Sequence, residues 1–282
     1  MELSVFLVVL LAALLHAAWN AFVKNNNDRI LFMAILIAAA GVGALVTLPF
    51  LPSPAPQSWF FIGLSVLFHI GYSIFLILAY KYGDLSHVYP LARGSAPLIV
   101  ALLSFSLIGE QLSHQALLVI IIMAAGIMSL SLTRGVQNLR NPKAVFFALG
   151  TGLFIASYTI TDGMGARLAG SPHSYAAWIF ALEGIPAAIF LLVKSRTSAY
   201  PQMQKIWKPA FIMGLLSLVA YWAVIWAMTV APIALVATIR ETSIIFALLF
   251  GVFFLKEKLS LGQLFATFTT LIGIVLLKIS RP

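Results

Sequence analysis

Two arginines lie inside apolar segments that are long enough to cross a membrane. Arg93 and Arg240 each have apolar runs on both sides, although a guanidinium does not lose its charge at physiological pH. A charge at that depth is costly unless it faces protein or water, so it marks a candidate functional site. The two positions are also related, because a shift of 147 residues lays residues 84–133 on the second half and Arg93 on Arg240. We therefore expect one fixed positive charge per half, able to hold a carboxylate or phosphate through paired N–H donors.

A structural role for these arginines is the alternative, in which each pairs with a carboxylate or with carbonyls freed by a neighbouring proline. Glu183, central in its segment, is the first candidate partner, and Glu241 is the second. Pro90 and Pro97 favour binding, because they are expected to open the helix around Arg93, and discontinuous helices form substrate sites in transporters.

Other polar and aromatic residues lie near the centres of further apolar segments. His16, Trp19 and Asn20 share one helix face, which either binds a substrate or joins two helices. His69 and Tyr72 form a similar pair, for which packing is the better interpretation. The complete candidate binding set comprises Arg93, Arg240, His16, Trp19, Asn20, Tyr89, Tyr158, Glu183, Glu241 and Trp222.

The positions of the remaining acids along the spans indicate their roles. Asp162 is followed by Gly163 and Gly165, which predicts a solvated helix end, although any acid within the bilayer is also a candidate proton carrier. Glu110 and Glu257 stand beside loop charges and are expected to pair with loop lysines.

The composition identifies an integral membrane protein. Hydrophobic residues make up 62% of the 282 residues and charged residues 9%, and the mean hydropathy is +1.04. A soluble domain carries roughly a quarter charged residues. The net charge of +9 falls in the connections between apolar spans, so it does not indicate nucleic-acid binding. The chain has no cysteine and no recognisable nucleophile or metal motif, so we expect no catalytic residues, cofactor or bound metal.

Ten apolar spans predict an all-α protein with ten transmembrane helices. They divide into two sets of five, within repeats assigned to residues 1–137 and 143–282. The spans cover residues 3–23, 30–50, 58–80, 85–107, 114–132, 144–162, 174–193, 209–228, 233–254 and 261–279.

Basic residues are divided unevenly between the two sides of the predicted bundle. The positive-inside rule then predicts that both termini lie outside the cytoplasm. Because five is an odd number, the two repeats must insert with opposite orientation, as in many secondary transporters. Twelve basic residues lie in the odd-numbered connections (Lys24, Arg29, Lys81, Arg134, Arg140, Lys143, Lys194, Arg196, Lys205, Lys208, Lys256 and Lys258), and three lie on the opposite side (Arg167, Lys278 and Arg281).

The chain resembles the EamA-type transporters of the drug/metabolite transporter superfamily. The residues that carry this resemblance are Pro97, Gly109-Glu110, Leu112-Ser113 and Gly126, then Phe254-Leu255-Lys256-Glu257-Lys258-Leu259-Ser260 with Gly273, and His16-Ala17-Ala18-Trp19-Asn20 with Lys24. The second copy departs from the pattern, since Ile244 stands where a proline is expected. The resemblance implies a ten-helix secondary transporter of small metabolites, with a central cavity and with termini inside the cytoplasm.

The favoured function is therefore secondary transport of a small anionic metabolite, by alternating access between two inverted repeats, with protons as a candidate coupling ion. The alternatives are an exporter of cationic or aromatic compounds and, from a different class, a membrane enzyme acting on a lipid-linked substrate. The duplication argues against the enzyme and indicates that one chain suffices for activity. The expected location is the cell membrane, which is the inner membrane in a Gram-negative bacterium.

Overall fold

The computed structural model describes residues 1–132, 141–196, 200–253 and 260–279. No strand occurs in these ranges, and the chain is organised as helices joined by short connections. The helices are α1 (Leu3–Lys24), α2 (Arg29–Thr47), α3 (Ser58–Tyr82), α4 (Leu85–Leu103), α5 (His114–Ser129), α6 (Pro142–Leu168), α7 (Pro172–Ser195), α8 (Tyr200–Val230), α9 (Ile233–Arg240), α10 (Ser243–Phe253) and α11 (Leu261–Ile279).

The predicted all-α membrane fold with ten spans is confirmed. Eight segments are long and apolar enough to cross a bilayer, and α9 and α10 together form one of them, Ile233–Phe253. The two remaining spans correspond to the shorter apolar helices α5 and α11. The protein is therefore a multi-pass membrane protein whose ninth span is interrupted.

The main helix contacts are symmetric: replacing each helix by its counterpart in the other set of five gives a contact that the structure contains. Helices α3 and α6 pack together, as do their counterparts α8 and α1. The contact of α4 with α6 has its counterpart in the contacts of α9 and α10 with α1. The contact of α2 with α8 has its counterpart in that of α7 with α3. Helix α2 packs on α7 and α5 packs on α11, each against its own counterpart, so these two contacts lie across the exchange axis. The duplication read from the sequence is thus also a duplication of packing.

Small residues bring the α2–α7 pair close together. A Cβ atom built on Gly41 would lie 2.7 Å from the Cα of Gly184, and one built on Gly184 would lie 2.8 Å from the Cα of Gly41. Such backbone contact is the usual means of packing helices in membranes, where lipid removes the hydrophobic drive between them. The close approach of α2 and α7 therefore depends on glycine at both positions.

Two helices, α4 and α8, differ from their expected form. Helix α4 runs without interruption through Pro90 and Pro97, so the expected opening around Arg93 is wrong. Helix α4 is packed tightly between its neighbours: a Cβ on Gly94 would lie 3.0 Å from the carbonyl oxygen of Ala124 on α5, and one on Gly152 of α6 would lie 2.9 Å from the carbonyl oxygen of Ala92. Helix α8 begins at Tyr200, ahead of the expected span, because basic residues end an apolar run without ending a helix.

The discontinuity lies instead in the second repeat, between α9 and α10. Glu241 and Thr242 leave the α-helical pattern, and the backbone N–H of Thr242 donates to the carbonyl of Ile239, three residues earlier, at 2.9 Å. The four consecutive polar residues at this point are all buried: Arg240, Glu241, Thr242 and Ser243. No proline occurs there, so proline content did not identify the interrupted helix.

Some expectations fall outside the described residues. These are Glu257 with its flanking motif, the basic residues Arg134, Arg140, Lys256, Lys258 and Arg281, and the end of the first repeat at residue 137. The repeat boundaries and the orientation of the termini remain predictions.

Candidate functional site

A buried ion pair joins the two repeats at the interrupted helix. Arg93 Nη2, from α4, lies 3.0 Å from Glu241 Oε2, at the junction of α9 and α10. The same nitrogen donates a hydrogen bond of 3.3 Å to Ser243 Oγ. Arg93 is 6% exposed and Glu241 1%. The expectation that Glu183 is the first partner of the arginines is therefore wrong, and the second candidate, Glu241, holds Arg93.

Arg240, the last residue of α9, has a different environment. It is 4% exposed, and its guanidinium carbon lies 5.6 Å from the centroid of the Tyr221 ring. Its Nε has no hydrogen-bond partner, and no carboxylate of the described residues lies within ion-pair distance of it. Because Glu241 already balances Arg93, one buried positive charge is left without a contacting acid.

Aromatic rings from three helices form a wall beside Arg240. Tyr158 of α6 stacks on His69 of α3, with ring centroids 4.1 Å apart and planes 19° apart. Tyr72 and Tyr221 approach the Tyr158 ring edge-on at 6.0 and 6.2 Å. Tyr158, predicted as a site residue, thus lies in the wall, whereas a packing role was favoured for His69 and Tyr72. We call His69, Tyr72, Tyr158 and Tyr221 the aromatic wall.

Two acids contact this wall. Glu183 Oε1 of α7 is 3.0 Å from His69 Nδ1, which is also 3.0 Å from the Ser65 carbonyl oxygen. Asp162 accepts hydrogen bonds from Tyr221, at 2.6 Å, and from Tyr175, at 3.3 Å. The interpretation of Asp162 as a solvated helix end is wrong, because α6 continues to Leu168 and Asp162 is 0% exposed. Glycines in a tightly packed helix allow close neighbours rather than ending the helix.

The first-helix residues divide between two environments. His16 lies within electrostatic range of both arginines, and its ring meets that of Trp19 edge-on at 4.8 Å. Trp19 packs against the apolar cluster formed by α2 and α8. Asn20 donates to the carbonyl of His16, one turn earlier, at 2.8 Å. Of these three residues, His16 is the one whose surroundings include the two arginines of the site.

The last two members of the candidate set lie at the edges of the site. Tyr89 on α4 is within electrostatic range of Arg93. Trp222 donates from Nε1 to Nδ1 of His173, at the start of α7, at 2.8 Å. The indole N–H of Trp222 is therefore already bonded to a side chain at the start of α7.

Glu110 takes part in a second cross-repeat network, at a helix end. Its Oε1 lies 2.7 Å from Arg167 Nη2, and its Oε2 accepts a hydrogen bond of 3.0 Å from the backbone N–H of Ile233, the first residue of α9. Arg167 in turn donates to the carbonyls of Met228 and Ala231. The expected pairing with a loop lysine is wrong for Glu110, since its partners are Arg167 and the start of α9.

The site residues that the candidate set omits are His69, Tyr72, Asp162 and Tyr221. The rule that singled out the arginines also applies to His69, a titratable residue in the middle of an apolar span. Asp162 also lies within an apolar span, but the sequence analysis placed the end of the helix at this residue and so did not apply the rule to it. Among the described residues, no group of three His, Cys, Asp or Glu side chains is arranged to hold a metal ion.

Comparisons with known proteins agree with this architecture. The sequence model of the EamA-like transporter family matches residues 3–132 and 142–279, which is nearly the whole chain. A solved crystal structure that covers 100% of this chain and 100% of its own superposes with a TM-score of 0.74 at 16% identity, which shows a shared fold alone. No protein with a curated description matches the sequence.

Proposed function

The chain belongs to the EamA-like transporter family, and from this premise we propose that its substrate is a small anionic metabolite. Members of the family are transporters and not enzymes, so the protein is a multi-pass membrane transporter. The proposal adds the charge of the substrate, the residues that bind it and the mode of transport.

The buried charge of Arg240 carries the proposal. Arg93, Arg240 and Glu241 together hold one excess positive charge in a region closed to solvent. An isolated buried charge costs several kcal/mol, so a bound anion stabilises the site by removing that cost. A carboxylate or phosphate group fits best, because the planar guanidinium offers two parallel donors to it.

The surroundings of Arg240 define the rest of the site. Tyr221 supports the guanidinium from one side, and Tyr158 lies within electrostatic range of both arginines. His16, on α1, lies within range of both arginines as well. We assign the substrate anion to Arg240, with the aromatic wall against its organic part, while Arg93 is held by Glu241.

The site lies where the two repeats meet, and this supports transport by alternating access. Arg93 belongs to the first repeat, whereas Glu241 and Arg240 belong to the second. Movement of one repeat against the other changes these contacts and opens the site first to one side and then to the other. Each chain contains both repeats, so a monomer is sufficient, and protons are the candidate coupling ion.

Export of cationic or aromatic compounds is the second candidate, and the aromatic wall with Glu183 and Asp162 favours it. These acids are already engaged, however: Glu183 lies 3.0 Å from His69, and Asp162 accepts two tyrosine hydroxyls. Within the described part of the chain no carboxylate lies within ion-pair distance of Arg240, so the unbalanced group is a cation and the anion is the better-supported substrate.

Thermal stabilisation of the purified protein tests the substrate charge. Lactate, succinate and inorganic phosphate serve as anionic probes, and choline and tyramine serve as cationic ones. We expect stabilisation by at least one anion, because ligands that bind only the folded state raise its stability by mass action. Arg240→Lys should weaken this effect strongly, whereas Arg29→Lys, a change at an exposed arginine, should not. Stabilisation by the cations alone contradicts the proposal.

A further inference from the structure

We propose that Asp162 and the Glu183–His69 pair form a proton-binding site whose occupancy is linked to that of the anion site. This inference rests on the proposed function and deepens it, by naming where the coupling ion binds. It stands on the contacts of three titratable side chains from three helices: His69, which belongs to the aromatic wall, and the two acids that contact this wall.

The first observation is that these groups form one cluster. His69 on α3 touches Glu183 on α7 and lies within electrostatic range of Asp162 on α6. Asp162 and Glu183 lie within range of each other as well. The titratable groups that contact the cluster from the surrounding helices are Tyr158 on α6, Tyr175 on α7 and Tyr221 on α8, and Tyr72, Arg93 and Arg240 lie next to Tyr158.

The second observation is that the cluster occurs only once, whereas the arginines occur in both repeats. The 147-residue shift pairs Arg93 with Arg240. Asp162 and Glu183 lie in α6 and α7, whose counterparts α1 and α2 contain no Asp or Glu. A structural ion pair needed by both repeats would be expected in both. The single copy therefore fits a task that the transport cycle needs once.

The third observation is the physical connection to the anion site, which passes through Tyr221. Its hydroxyl donates to Asp162 Oδ2 at 2.6 Å, and its ring lies 5.6 Å from the guanidinium carbon of Arg240. Tyr158 makes a parallel connection, since its ring stacks on His69. A change of charge on Asp162 therefore acts on the residue that supports Arg240.

The sum of charges gives the sign of the linkage. With His69 counted as the positive partner of Glu183, the acids Asp162, Glu183 and Glu241 balance the cations His69, Arg93 and Arg240. Entry of an anion leaves one excess negative charge in this region, and uptake of a proton by the cluster removes it. Anion and protons therefore bind together, and each raises the affinity for the other by the same factor. Such co-binding corresponds to symport of the anion with at least one proton.

Infrared difference spectroscopy of the wild-type protein in lipid nanodiscs tests the site without any anion. Between about pH 8 and pH 5, the range in which a histidine-linked site titrates, we expect absorption from protonated carboxyl groups to appear. Glu183→Gln and Asp162→Asn should each remove part of this absorption, whereas Glu2→Gln, at an exposed carboxyl, should leave it unchanged. Tyr221→Phe should move the Asp162 band, because it removes a hydrogen bond to that carboxyl.

The linkage is tested in the same experiment by removing the charge of Arg240, which imitates its neutralisation by an anion. Arg240→Gln should move the titration midpoint to higher pH, and Arg29→Gln should not. A wild-type spectrum without such a band, bands unaltered in both acid variants, or an unmoved midpoint in Arg240→Gln each overturn the inference. None of these results depends on anion binding, so a failed substrate proposal is recognised separately by the thermal-shift screen.

Discussion

The ion pair between Arg93 and Glu241 allows a quantitative prediction about the scaffold. Glu241→Gln removes the acid that contacts Arg93, and the side chains of the pair are 7% and 2% exposed, so solvent cannot replace it. Removing one partner of a buried pair costs about 3–5 kcal/mol. Because every 1.4 kcal/mol is a factor of ten, the folded-to-unfolded ratio should fall roughly a hundred- to a few-thousandfold.

The two single variants should differ in severity. Glu241 lies within electrostatic range of Arg240 as well as Arg93, so in Arg93→Gln the carboxylate keeps a positive neighbour. In Glu241→Gln both arginines remain, and two like charges share one buried region. We therefore expect Glu241→Gln to be the more destabilising change, and the combination with Arg93→Gln to recover most of its loss.

Reversible unfolding of the four proteins in mixed detergent micelles measures these differences, with Glu2→Gln as the control at an exposed carboxyl. The wild type, both single variants and the double variant form a double-mutant cycle, whose coupling free energy isolates the pair. Losses that simply add, or a double variant less stable than either single one, would refute the view that this pair joins the repeats.

Three further predictions concern the remaining contacts. Gly41→Leu should strongly lower the thermal stability, because even a Cβ there would lie 2.7 Å from the Cα of Gly184, and an unchanged melting temperature would contradict the close contact. Glu110→Gln should cost about 1–3 kcal/mol of stability by weakening the hold on Arg167, measured by the same unfolding assay with Glu2→Gln as control. A fluorescent reporter that matures only in the cytoplasm should stay dark at the C-terminus, as the basic residues predict, and bright cells with an intact fusion would reverse the orientation.

The sequence was sufficient to predict the architecture because the bilayer imposes it. Spans of about 20 apolar residues must be helices, since lipid leaves backbone groups no other partner. The 147-residue shift predicted two matching halves, and helix contacts exchange between the halves as that duplication requires. The two arginines were found by the same reasoning, because a charge within the bilayer must face protein or a water-filled cavity.

The partners of these charges could not be predicted, because they depend on how each helix is rotated and how far it extends. The sequence favoured Glu183 as the partner acid, yet Glu241 contacts Arg93 and Glu183 contacts His69. The extension of α6 past Asp162 brought that acid into the interior. The prolines of α4 were misleading because packing against neighbouring helices outweighed their local preference to interrupt a helix.

The central claim, that the unbalanced charge of Arg240 binds the substrate anion, is tested most directly by uptake into proteoliposomes. The anion that stabilises the wild type most is supplied in radiolabelled form, and its uptake is compared with the amount of folded protein in each preparation. We predict that Arg240→Lys keeps a normal yield and loses most uptake, because lysine retains the charge without the planar pair of donors. Arg29→Lys should transport like the wild type. Undiminished uptake by correctly folded Arg240→Lys would contradict the claim.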